Sequence, residues 1–168
     1  MYMNYEELYE DGEINGDTVF YLDEECMEKY TGHIEYYFNN MLNWECDIKE
    51  GVRSGVEKHY YDETGELEQI NQIENNVGKG ISIEYYKNGK IRGISLLVNN
   101  LNTDSYEYNE EGQLESKYVY SDERVLGINH LALKEQLIEL REKFNLEMIN
   151  EEIMKYGRIV DEKNLFNR

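Results

Sequence analysis

The chain has 168 residues, of which 40% are hydrophobic, enough for one compact domain or for a repeat array with an appendage. Its 36 acidic and 17 basic residues give a formal net charge of −19, which disfavours nucleic acid and anionic membrane surfaces as partners and favours a basic protein. Sixteen tyrosines set it apart from disordered chains, and the absence of proline suits an uninterrupted sheet.

Residues 1–30 hold ten acids and one base, Lys29. The first residues lack the basic and apolar regions of a signal peptide, and no apolar run approaches the roughly 20 residues of a membrane span. A cytoplasmic protein with reduced cysteines at Cys26 and Cys46 is therefore expected. The acidic run over residues 6–28 reads either as a binding surface or as a solvated edge that discourages strand pairing.

From residue 31 a frame of about 24 residues recurs. Its copies read His33-Ile34-Glu35-Tyr36-Tyr37, then Glu57-Lys58-His59-Tyr60-Tyr61 before Thr64-Gly65, then Ser82-Ile83-Glu84-Tyr85-Tyr86 before Asn88-Gly89, then Tyr106-Glu107-Tyr108 before Glu111-Gly112. A fragment at Tyr9, Gly12, Ile14 and Gly16 belongs to the same series. Glycine supplies the positive φ of a tight hairpin turn, and the following stretches alternate with period two, as in Leu42, Trp44, Cys46 and Ile48. Each unit reads as a β-hairpin.

After Tyr120 the period becomes helical. Leu133, Leu137 and Leu140 share one helical face, with Asn129 as a candidate N-cap. A second helix begins near Asn145, carries Leu146, Ile149 and Ile153, and closes at Gly157. The predicted architecture is mainly β: tandem antiparallel hairpin repeats in one extended curled sheet over residues 1–126, with an α-helical cap over residues 127–168.

The Gly-x-x-x-x-Tyr-Tyr frame with its Asn/Thr-Gly-Lys/Glu-Ile/Leu turn resembles the MORN-repeat variant, and more narrowly is similar to YwqK-like bacterial antitoxin or immunity proteins. The resemblance covers residues 9–120. The first unit departs from it at the glycine-free turn Asn39-Asn40, the fourth at Glu107, and residues 17–29 are an acidic insertion. The resemblance implies a small cytosolic protein that binds and silences a cognate toxin, such as a nuclease or deaminase with a cationic substrate-binding surface.

Enzyme chemistry finds little footing. His33, His59 and His130 have no metal-ligand spacing, and no nucleophile elbow, phosphate loop or zinc-protease motif occurs. No catalytic residue, cofactor or metal is predicted. Strand alternation puts Tyr36, Tyr60 and Tyr85 on a core side with Ile34, Val56, Ile81 and Ile83. The other side carries His33, Glu35, Tyr37, Glu57, His59, Tyr61, Glu84, Tyr86, Asp104, Tyr106 and Tyr108. From that side Glu35, Tyr37, Glu57, His59, Tyr61, Glu84, Tyr86, Asp104 and Tyr106 are the expected partner-binding residues. Tyrosine offers contact area at low entropic cost and carboxylates pair with Arg or Lys. The same tyrosines read equally as a cross-strand ladder that stabilises the sheet. A generic repeat scaffold with another protein partner is the alternative to a toxin-binding role.

Overall fold

The computed structural model describes residues 2–14, 16–120 and 130–166. The fold is mainly β, with helices following the strands. No helix among the described residues is long and apolar enough to cross a membrane. The chain divides into two compact units, residues 1–77 and 78–168.

In the first unit, β1 (Tyr2–Asn4) pairs parallel with β4 (Gly32–Phe38). Antiparallel pairing then runs from β4 through β5 (Met41–Lys49) and β6 (Val52–Tyr60) to β7 (Leu67–Glu74). A separate ladder joins β2 (Tyr9–Ile14) to β3 (Asp17–Tyr21). Ile34, Cys46 and Ile48, one alternating phase of β4 and β5, form a core with Phe20 and Tyr30. The Tyr5 ring lies edge-on to Phe20, Tyr36 and Trp44 at this core's margin.

The acidic N-terminal run is thus more than a solvated edge. Phe20 and Tyr30 are 3% and 0% exposed, because they cover apolar side chains that the sheet would otherwise leave in water. Backbone hydrogen bonds fix the cover: Phe20 N–H donates to Gly51 C=O, and Gly51 N–H donates to Tyr30 C=O. Both cysteines are free. Cys46 is buried, and burial followed by the nearby Glu57 carboxylate pushes its thiol well above the ordinary value, so it is a packing residue.

In the second unit, β8 (Val77–Tyr85), β9 (Ile91–Val98), β10 (Leu101–Tyr108) and β11 (Leu114–Tyr118) pair antiparallel in that order. Helices α1 (His130–Lys143) and α2 (Leu146–Tyr156) pack on β9, and α2 also on β10. A short α3 follows at Glu162–Leu165. As the helical period implies, Leu137, Leu140, Ile149 and Ile153 are buried. Asn145 caps α2 by accepting from Met148 N–H, and Gly157 takes the left-handed position at its end, φ 68°. The candidate N-cap Asn129 and the boundary between residues 126 and 127 lie outside the described residues.

Gly65, Gly89 and Gly112 have the positive φ expected of their turns. Asparagine pairs do the same work elsewhere. Asn39-Asn40, Asn75-Asn76 and Asn99-Asn100 all have φ between 50° and 67°, the mirror-image turn that matches strand twist. The second asparagine also clamps its neighbour: Asn76 Oδ1 accepts from Arg53 N–H at 2.7 Å, and Asn100 Oδ1 accepts from Gly78 N–H at 2.5 Å.

Gly51 is the most constrained turn residue. Its φ is 80°, and an added Cβ would sit 2.6 Å from Val19 Cγ1 and 3.0 Å from Phe20 O. Gly51→Ala is expected to cost about 1–3 kcal/mol or more. Gly65→Ala, which meets nothing within 4 Å, should cost less. Urea unfolding followed by Trp44 fluorescence distinguishes the two, and equal losses would show that the packed N-terminal cover adds nothing.

Candidate functional site

Residues directly opposite across antiparallel strands share a face. In the first unit, Ile34, Cys46 and Glu57 align across β4, β5 and β6, and so do Glu35, Glu45 and Lys58. The first row faces the core. The second row anchors a polar network on the opposite face.

His33 is the centre of that network. Its Nδ1 lies 2.8 Å from Asp47 Oδ1 and its Nε2 lies 3.2 Å from Glu45 Oε2. The Tyr2 ring packs beside the imidazole at a centroid distance of 5.0 Å. Glu45 Oε1 accepts from Lys58 Nζ at 2.5 Å and from the Tyr60 hydroxyl at 2.8 Å. The Tyr37 hydroxyl donates to Glu35 Oε2 at 2.8 Å. Among the described residues, one potential ligand atom each from His33, Glu35 and Glu45 lies within 4.8 Å of the others.

Electrostatics follow from these partners. Burial opposes ionisation of Glu45, but the Lys58 and Tyr60 hydrogen bonds and the Lys58 charge outweigh it, leaving the carboxyl below its usual range. Burial, then Glu45, raises the Tyr60 hydroxyl well above its ordinary value.

Glu57 is 4% exposed on the core side. It accepts from Arg53 Nη1 at 2.7 Å and contacts His59 Nε2 at 3.0 Å, and Arg53 also pairs with Asp17. Burial again opposes ionisation, and His59 and Arg53 overcome it, so this carboxyl too is held low.

The expected stripe is therefore divided within the first unit. Glu35 and Tyr37 share a face, while Glu57 and His59 lie on the opposite one. The register through β5 is the reason: it aligns Ile34 with Glu57, so equivalent positions of the repeat frame point to opposite sides. Tyr60, expected in the core, joins the Glu45 network. Tyr61 lies just beyond β6, where its N–H donates to Glu66 C=O.

In the second unit, Glu84 aligns with Gly93 and Glu107. Glu84 Oε2 accepts from Arg92 Nε at 3.0 Å, and the Tyr86 hydroxyl donates to Tyr108 C=O at 2.7 Å. These residues, with Ser95, Asn102, Ser105 and Glu115, line a groove of about 380 Å³.

Asp104 and Tyr106, expected beside them, are instead buried at 8% and 4% exposure. Tyr106 aligns with Ile94 and Ile83 on the side that the helices cover. Asp104 accepts two hydrogen bonds from Arg141 of α1, at 2.6 and 2.8 Å. The Tyr106 hydroxyl donates to Glu147 of α2 at 2.6 Å, and Tyr108 donates to Asn150 at 2.9 Å. These three side chains moor helices; Asp104 is thereby removed from the candidate surface, while Tyr106 and Tyr108 still line the groove with their polar groups spent on the helices. Sequence reasoning missed Glu45, Asp47, Lys58, Arg92, Glu107 and Glu115. The signal for the first two was the polar phase of β5, Asn43-x-Glu45-x-Asp47, alternating with Trp44, Cys46 and Ile48.

No family model matches the sequence, and no curated protein matches it. Among solved structures, a Staphylococcus aureus TarM mutant in complex with fondaparinux, alpha-GlcNAc-glycerol and UDP is similar at a TM-score of 0.36 and 12% identity. The likeness covers 79% of this chain and 23% of that one, a level that carries no argument about function.

Glu45 and Glu57 are both depressed in the folded state, so the stability they contribute is present above the unfolded carboxyl value and lost as pH falls through their folded values. Unfolding free energy should drop on acidification below about pH 4.5. Glu57→Gln should show a shallower drop in urea titrations across that interval. An unchanged acid slope would mean that Glu57 ionisation is not coupled to folding.

Proposed function

We propose that this chain is a non-enzymatic cytoplasmic immunity protein that binds a basic bacterial toxin and occludes its substrate cleft. In this reading residues 31–120 are tandem hairpin repeats of the MORN-variant kind, and α1 and α2 are their cap. The observation that supports it best is the groove of the second unit. Glu84, Glu107 and Glu115 line it, and Arg92 is the one cation among its described lining residues. Arg92 is taken up by Glu84, while Glu107 engages the hydroxyl of Ser116. An incoming Arg or Lys meets Glu107 and Glu115 beside the flat contact surface of Tyr86. In the first unit Glu35 and Tyr37 offer the same pair of side-chain types.

Long-range charge supports the same reading. A net charge of −19 accelerates encounter with a cationic partner, and that acceleration is screened by salt. A toxin whose cleft holds an anionic substrate presents the complementary field, and carboxylates seated there would exclude the substrate by charge and by volume.

Stopped-flow association with the toxin encoded by the adjacent gene tests the proposal. The association rate should fall about tenfold or more between roughly 50 and 500 mM salt. Replacing Glu107 and Glu115 by Lys should weaken binding by at least about tenfold, since each close charge pair contributes on the order of 1.5 kcal/mol or more. Association that ignores salt, or that survives the double charge reversal unchanged, would refute this mode of binding.

A further inference from the structure

We propose that His33, Glu35 and Glu45 bind a divalent transition-metal ion, with zinc as the probe. The metal site does not rest on the toxin-binding role, although it draws on Glu35 and Tyr37 of the first-unit surface described above. Three features of the first unit carry it: convergence, support from outside the trio, and uncompensated charge.

Convergence comes from the sheet. Glu35 and Glu45 are directly opposed across β4 and β5, and His33 lies two residues along the same face, opposite Asp47. Their potential ligand atoms already lie within 4.8 Å of one another. Zinc–ligand bonds of about 2.0–2.2 Å place neighbouring tetrahedral ligands somewhat closer than that, within reach of small torsional adjustments of two glutamate side chains. Positions on paired strands hold the donors more rigidly than loop positions do.

Each of the three side chains also has a partner outside the trio. Asp47 engages Nδ1 of His33, so a proton held there leaves the Nε2 lone pair aimed at Glu45. Tyr37 donates to Glu35, while Lys58 and Tyr60 occupy Oε1 of Glu45 and leave Oε2 towards the imidazole. A carboxylate behind the histidine and hydrogen-bond donors behind the acids form the outer layer that orients ligands in metal sites.

The charge balance points the same way. Glu35, Glu45 and Asp47 face Lys58, which leaves two formal negative charges when the imidazole is neutral. A divalent ion neutralises them. The mixed imidazole and carboxylate set favours zinc or a neighbouring first-row ion over magnesium or calcium. Three protein donors leave a coordination position for water or for a partner's side chain.

Calorimetric titration of the full chain with zinc chloride, at about 150 mM salt to screen surface carboxylates and with millimolar magnesium present, tests the site. A single saturable site is expected, and cobalt bound there should show the absorption of a low-symmetry site. His33→Ala and Glu35→Gln should each lower zinc affinity about 100-fold or more, and Asp47→Asn about 10–100-fold. His59→Ala, on the opposite face, should leave affinity unchanged. Absence of saturable uptake, or wild-type affinity in a folded His33→Ala or Glu35→Gln protein, would reduce the trio to an ion-pair network and overturn the proposal.

Discussion

Strand register in the first unit is the constraint on which the rest depends. Opposing Ile34 to Cys46, and Cys46 to Glu57, decides at once which side chains lie under Phe20 and Tyr30 and which meet on the far face. Because side chains alternate with period two, a shift of one residue would exchange the two sets. Ile34, Cys46 and Ile48 would enter water, and Glu45 would be buried without Lys58 or Tyr60. The apolar cover and the polar network therefore enforce a single register between them.

Local chemistry was legible in the sequence and long-range geometry was not. Asn145 and Gly157 bound α2 because capping depends on a few adjacent residues. Gly65, Gly89 and Gly112 marked turns for the same reason. The face assignments depend instead on bulges and on pairing partners. The register that sets Ile34 opposite Cys46 and Cys46 opposite Glu57 turns Glu57 to the core side, so Glu57 is buried and Tyr60 lies on the face opposite to the expected one. The His33 network was hidden because Glu45 and Asp47 are 12 and 14 residues away in sequence and meet it only through the β4–β5 register. Helix docking was hidden likewise, since nothing near Asp104 or Tyr106 announces Arg141 or Glu147.

Four of the tyrosines divide into two kinds by what their hydroxyls reach. Tyr106 and Tyr108 give theirs to the helices and are almost wholly buried. Tyr37 and Tyr86 keep ring area available, Tyr37 through a bond to an acid on its own strand and Tyr86 through a bond to a neighbouring backbone carbonyl. Repetition in sequence thus conceals a division of labour, in which the same residue type moors a helix at one position and keeps a partly exposed ring at another.

The N-terminal cover sets a limit on how this sheet can vary. Repeat arrays ordinarily grow or shrink by whole modules, because each module brings its own neighbours. Here the turn at Gly51 is stitched to Phe20 and Tyr30, and Asn76 reaches back to the carbonyl of Ile14. Inserting or deleting a hairpin between those anchors would pull them out of alignment with the leading segment. Added strands are consequently compatible with the first unit only outside the span those anchors bracket.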